Sequence, residues 1–210
     1  MRVLIIGASK GIGLETTRQA AAAGHDVRAL ARSGGEQDPA NPRLTRIRGD
    51  ARHAPDVASA LAGVDVVIQT LGVNFSELFR PVHLFSEATG VLIDAMRTRG
   101  VKRLICVTGF GAGDSHASIG PLQRLPFEAV FGRAYEDKSA QERLIKASEL
   151  DWTIARPGVL TAGRRTRRYQ VLVKASEWRN GMISRADVAD FLVGQIDNRQ
   201  YVGESPVLVY

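Results

Sequence analysis

The segment from Arg2 to Gly13, RVLIIGASKGIG, restricts what this chain can fold into more than any other. Val3, Leu4, Ile5 and Ile6 form an apolar run far too short to span a membrane. Its length suits a strand buried on both faces of a parallel sheet. Gly7 ends the run, and Gly11 and Gly13 complete a G-x-x-x-G-x-G spacing. Helix-forming residues then continue from Leu14 to Ala23 and stop at Gly24. Strand, tight turn and helix is the predicted order. Such a turn gathers backbone N–H groups and the positive end of a helix dipole at one point, and glycines let a diphosphate approach closely. Ser9, Lys10 and Ile12 fill the positions between the glycines. A dinucleotide is the ligand this turn fits, provided that a second β-rich segment follows it. Asp26–Ala31 (DVRALA) meets that condition.

The corner after this second strand bears on which dinucleotide is held. In such a fold the residue there faces the adenosine ribose. A carboxylate accepts from the 2′-hydroxyl of NAD, whereas an arginine accommodates the 2′-phosphate of NADP. The chain carries Arg32 followed by Ser33. A guanidinium pairs with phosphate through two parallel hydrogen bonds, and Lys10 offers a second positive charge. NADP(H) is therefore expected in preference to NAD(H).

With 210 residues, 44% of them hydrophobic, the chain can bury a full core as a single domain over 1–210. It has no apolar run long enough for a membrane span, and its first strand lacks the longer apolar core of a secretory signal. A cytoplasmic protein with no membrane partner is expected. Cys106 is the single cysteine, which excludes an internal disulfide and a multi-cysteine metal site; no metal is expected. Its apolar neighbours mark it as a buried core residue. The net charge of +6 is concentrated at Arg164, Arg165, Arg167 and Arg168. That run reads as a solvated loop or as a contact for an anionic substrate or cofactor phosphate. Nucleic acid is the weakest reading, because no recognisable binding module accompanies the run. The expected partner is a small-molecule acceptor, and the chain is expected to be a monomer or homodimer.

Further along, residues 35–42 read as a loop and Leu44–Arg48 as a third strand, after which Asp50 and Ala51 would flank an adenine. A helix over 55–62 leads to a fourth strand over 64–70. Leu71 and Gly72 then lie on the carboxyl edge, where open α/β sheets bind ligands. Phe75, Leu78 and Phe79 line either a pocket or a satellite of the core. Residues 82–99 place Leu84, Phe85, Ala88, Val91, Leu92, Ala95 and Met96 on one helical stripe. A fifth strand over 103–108 precedes a substrate-side loop region at about 109–133, with 114–132 as a loop or broken helix. Helix 134–148, strand 152–155 and a short strand over 169–174 follow. Ser184 with Asp187 three residues on predicts the cap of a helix running to about Ile196, and 206–210 can close the sheet. The alternation predicts an α/β fold, a single Rossmann-type doubly wound parallel sheet with helices on both faces.

The glycine turn, Arg32, Gly49-Asp50 and LDWTIARPG at 150–158 together resemble the short-chain dehydrogenase/reductase superfamily. Within it they are similar to the atypical NAD(P)H-binding branch, which includes NmrA-like regulators and the flavin reductase/biliverdin-IXβ reductase type. Residues 184–189 (SRADVA) match that branch's final helix. The resemblance implies an NADPH-dependent oxidoreductase or, alternatively, a non-catalytic NADP(H)-sensing regulatory protein. Typical members use Tyr-x-x-x-Lys, whose lysine lowers the tyrosine pKa. The nearest pair here is Tyr135 and Lys138, one residue closer, with Ala134 four positions before the lysine. Steps of three and four both stay near one helix face. Tyr135 and Lys138 are thus candidate catalytic residues, and Lys138 is also a candidate cofactor-ribose contact. Thr108 stands near the position of the superfamily's serine. It is expected to face the nicotinamide or substrate, or to be a buried strand-end hydroxyl. Pro157, Gly158, Val159 and Leu160 would contact the nicotinamide side, and Ser115 and His116 are further candidate proton donors. Flavins and quinones accept hydride without a strong protein acid in the same step, whereas an alcohol/ketone pair usually needs one. A flavin, quinone or tetrapyrrole-like acceptor is therefore expected.

Overall fold

A computed structural model describes residues 1–33, 41–73 and 82–210, with the backbone alone for 121–130. Most of the loop predicted over 35–42, together with Phe75, Leu78 and Phe79, lies outside the described residues.

The apolar run after Met1 is β1 (Arg2–Ile6), and the glycine turn opens α1 (Gly11–Ala22). In chain order there follow β2 (Asp26–Ala31), β3 (Leu44–Arg48), α2 (Ala54–Ala60), β4 (Val66–Gln69), α3 (Leu84–Arg99) and β5 (Arg103–Val107). The second half contains α4 (Pro121–Lys146), β6 (Asp151–Pro157), β7 (Val159–Thr161), β8 (Gln170–Leu172), β9 (Met182–Ser184), α5 (Arg185–Gly194) and β10 (Val207–Val209). The main sheet has the order β3-β2-β1-β4-β5-β6-β10-β8. Its order reverses beside β1, which pairs with β2 on one side and β4 on the other. That reversal opens the crevice in which doubly wound sheets hold their ligands.

Successive side chains on a strand point to opposite faces. Val3, Ile5, Val27 and Ile68 accordingly pack with Ala20 of α1 and Val188 and Leu192 of α5. Leu4, Ile6, Leu30 and Val67 pack on the other face with Val57, Leu92, Met96 and Ile145. Both faces are covered, which explains the unbroken apolar runs in the central strands. Cys106 is buried in the second layer as predicted, and burial pushes its thiol up to about 12, leaving it unreactive at neutral pH.

Three details depart from the sequence reading. The sheet is not wholly parallel, because β8 runs antiparallel to β10. The last strand does not close the edge: β10 lies between β6 and β8. The region expected as a loop or broken helix over 114–132 is a 3-10 turn (Gly113–Ser118) followed by α4. This helix continues through Pro126 and Gly132, which a local reading takes as breakers. Tertiary contacts hold it in place. The Asp137 carboxylate of α4 accepts from the Phe85 and Ser86 amides at 2.8 and 3.3 Å. It thereby caps α3, whose own N-cap residue His83 makes no side-chain cap. At α5 the predicted cap is present, with the Asp187 amide donating to the Ser184 hydroxyl at 3.0 Å. Among the described residues no helix is long and apolar enough to cross a membrane.

Candidate functional site

A cavity of about 960 Å³ opens at the carboxyl edge of the sheet, above the reversal in strand order. The glycine turn forms its floor. Gly7 and Gly11 take left-handed backbone angles (φ +86° and +58°), which glycine adopts without steric cost. A Cβ on Gly7 would lie 2.8 Å from the Thr70 carbonyl oxygen, and one on Gly13 would lie 2.6 Å from the Thr70 hydroxyl. Gly13 itself does not line the cavity; its role is to let α1 seat against β1 and β4. Among the described residues no side chain caps α1, whose N-cap residue is Lys10. The uncapped first turn is a site for an anion at a dipole end. Gly7, Ser9, Lys10, Gly11 and Ile12 all line the cavity there.

At one end the walls are Arg32 and Ser33 after β2, and Gly49, Asp50 and Ala51 after β3. The Asp50 carboxylate accepts from the Arg52 guanidinium at 3.2 Å and from the Arg52 amide at 2.9 Å. The Arg52 side chain is the main reason that the Asp50 carboxyl stays below the usual carboxylate range. With Asp50 engaged by Arg52, Arg32 is the cationic residue that lines this end of the cavity.

At the opposite end Leu71, Gly72, Leu84, Phe85, Phe131, Pro157 and Leu160 make an apolar wall interrupted by Thr108, Tyr135, Lys138 and Arg185. Tyr135 and Lys138 therefore do meet at one cavity, as their shared helix face predicts. Their chemistry differs from that of the superfamily pair. Burial pulls the Lys138 ammonium down to about 8, against the opposing influence of Cys106, Glu142 and Asp137. Its Nζ donates to the Thr108 carbonyl at 2.8 Å and lies 4.4 Å from the Phe85 ring centroid. Tyr135 packs edge-on against Phe131, with ring centroids 6.3 Å apart, and burial pushes its phenol up to about 12. A phenol raised in this way is a weak proton donor. The Thr108 hydroxyl donates to Glu142 Oε1 at 2.7 Å, so its only proton points into the protein and the cavity receives lone pairs.

Glu142 belongs to a buried charged group that the sequence reading missed. Arg156 Nε and Nη2 donate to the two Glu142 oxygens at 3.0 and 2.5 Å, a bidentate pair with both side chains almost wholly shielded from water. Asp114 also accepts from Arg156, and the guanidinium lies 4.9 Å from the Trp178 ring centroid. No spacing rule connects residues 142 and 156; the only signal was a charge within each otherwise core-bound element.

Several candidates lie off the cavity wall. Ser115 is held within its turn, donating to the Ala112 carbonyl at 2.6 Å and accepting from the Gly111 amide at 2.9 Å. Neither it nor His116 lines the cavity. Gly158 and Val159 also stand away from it. Gly158 allows close approach to Gly181, and Val159 is 56% exposed at the start of the short β7–β9 pair. The basic run is strapped to α5: the Thr166 and Arg167 amides donate to Asp187, and Asp190 pairs with Arg165 and Arg167. None of residues 164–168 lines the cavity. Phe131 and Arg185, which do, were not singled out in the sequence.

A parallel-dominated sheet with an uncapped glycine turn and an elongated cavity at its reversal point defines a Rossmann-type nicotinamide-dinucleotide-binding protein. Residues 7–199 match the family model described as NAD(P)H-binding. The chain belongs to that family. It is 33% identical over 114 residues to the 3-beta-hydroxysteroid dehydrogenase of Mycolicibacterium neoaurum, a match covering 50% of this chain and 31% of that protein. The chain thus spans about a third of that dehydrogenase. It is 26% identical over 206 residues to the uncharacterized sugar epimerase YhfK of Bacillus subtilis, covering 95% of this chain and 89% of the other. Among solved structures it is similar to ChuY of Escherichia coli O157:H7, an anaerobillin reductase, with TM-score 0.80, 26% identity and coverage of 100% and 97%.

Proposed function

We propose that the protein is an NADPH-dependent reductase that passes a hydride to a flavin, quinone or tetrapyrrole-like acceptor. The observation that carries this reading is the make-up of the cavity's far end. An apolar and aromatic wall of Leu84, Phe85 and Phe131 surrounds a tyrosine whose phenol is raised rather than activated. Bound NADPH supplies the hydride from its nicotinamide C4. The chain's own residues bind, orient and exclude water. The uncapped end of α1 receives the diphosphate, and Arg32 with Lys10 meets the 2′-phosphate, which favours NADP(H) over NAD(H). Lys138 lies within the wall where a nicotinamide ribose would rest, its ammonium steered by the Thr108 carbonyl. The Thr108 hydroxyl offers an acceptor to an amide N–H. The aromatic wall suits a planar acceptor laid against the dihydropyridine ring. Such an acceptor does not require a strong protein acid, and among the described residues the far wall presents none. The likeness to ChuY supports a tetrapyrrole-like acceptor as one member of the class.

The raised Tyr135 phenol equally suits a second reading, a non-catalytic NADP(H)-sensing protein. Turnover separates the two. Purified protein is expected to oxidise NADPH in the presence of at least one of FMN, menadione and biliverdin, followed by loss of NADPH absorbance. Binding of NADPH with no oxidation by any of the three would favour the sensor.

A further inference from the structure

Arg185 is the first residue of α5 and lines the cavity beside Ile12 and Leu160. Three contacts fix this position. Leu160 pairs with Ile183 across β7 and β9, two residues before Arg185. Gln19 of α1 donates to the Ala186 carbonyl at 2.9 Å, tying the first turn of α5 to the flank of α1. Ile12 and Leu160 pack on the same core layer. Arg185 thus rises from the wall between the amide end of α1 and the segment after β6.

The neighbouring carboxylates are already engaged. Asp187 accepts from the Thr166 and Arg167 amides, the Ser184 hydroxyl and the Tyr210 hydroxyl. Asp190 holds Arg165 and Arg167. Among the described residues no carboxylate pairs with the Arg185 guanidinium. A cationic residue at a cavity wall, with the local acids committed elsewhere, suits an anion brought by the ligand. A guanidinium presents a planar fork that matches two phosphate oxygens.

We propose that Arg185 is a cofactor-binding residue whose guanidinium takes the nicotinamide-side phosphate of the dinucleotide, across from the amide end of α1. The glycine turn then holds the adenosine-side phosphate, and the diphosphate is gripped from two helix starts. The other source of an anion at this wall, a charged group on the acceptor, is a separate outcome of the test.

The test uses calorimetric titration of the full chain and its Arg185→Met and Arg185→Lys variants with two probes, NADPH and adenosine 2′,5′-bisphosphate, which lacks the nicotinamide-side phosphate. Arg185→Met is expected to weaken NADPH about tenfold or more, the factor a lost charge-assisted hydrogen bond carries, and to change the bisphosphate by less than about twofold. Arg185→Lys, which keeps the charge without the fork, is expected to fall between. Equal weakening of both probes, or of neither, overturns the proposal; an unchanged NADPH affinity would assign Arg185 to the acceptor. A flat NADPH titration of the unmutated protein overturns the cofactor site as a whole, a result distinct from these. Thermal unfolding of each variant shows whether it is folded.

Discussion

At the scale of single residues, Lys138 illustrates how placement changes chemistry. Its helix face was readable from the three-residue step to Tyr135, but its surroundings were not, because Phe85 and the Thr108 carbonyl come from elements far away in sequence. Burial lowers its pKa from 10.5 to about 8. The folded chain therefore holds the proton less tightly than the unfolded chain. Between pH 8 and 10.5 the unfolded state binds more protons, so stability rises with pH in that window and the full cost of the buried charge applies below it. Urea unfolding of the wild type and Lys138→Met across this range should show the wild type gaining stability relative to the variant as pH rises. Parallel curves would mean that the ammonium is not desolvated. Arg32 is the opposite case: its place on the cavity wall was readable from its position after β2, because the corner of a parallel sheet lies at the ligand crevice.

At the scale of elements, strand and helix identities were largely legible. The bounds of β2 and β3 agree with the apolar and alternating runs that predicted them. What the chain did not reveal locally was the length of α4. Pro126 and Gly132 carry the local signals of a break, while the contacts that hold the helix are distant: Asp137 on α3 and Glu142 on β6. The Glu142–Arg156 pair is the firmest of these. Glu142→Gln leaves the buried guanidinium with only Asp114, on the exposed edge, as counter-charge and should cost about 3 kcal/mol. Replacing both residues by apolar ones of similar volume should recover most of that loss, and Asp114→Asn, on the exposed edge of the group, should cost less than about 1 kcal/mol. Chemical denaturation of the set checks the ordering. Equal losses for Glu142→Gln and Asp114→Asn would show that burial does not govern the pair.

At the scale of the whole molecule, the sheet order puts the glycine turn, the corner bearing Arg32 and the aromatic wall along one crevice, although they lie in three separate parts of the sequence. The first two were found from sequence because each obeys a local rule: glycine spacing in one case, position after a strand in the other. The far wall was legible in part, through Leu71, Gly72, Thr108, Tyr135, Lys138, Pro157 and Leu160, but two of its residues obey no local rule. Phe131, well inside α4, and Arg185, the first residue of α5, reach it only because of where the sheet's connections place those helices. The central claim is that this crevice receives NADPH and that Arg32 sets the choice of dinucleotide. Calorimetric titration of the wild type and Arg32→Asp with NADPH and NADH tests it most directly. The wild type should bind NADPH with the higher affinity, and the variant should lose most of that advantage while retaining NADH. Absence of heat with either dinucleotide, or an unchanged preference in Arg32→Asp, would contradict the account.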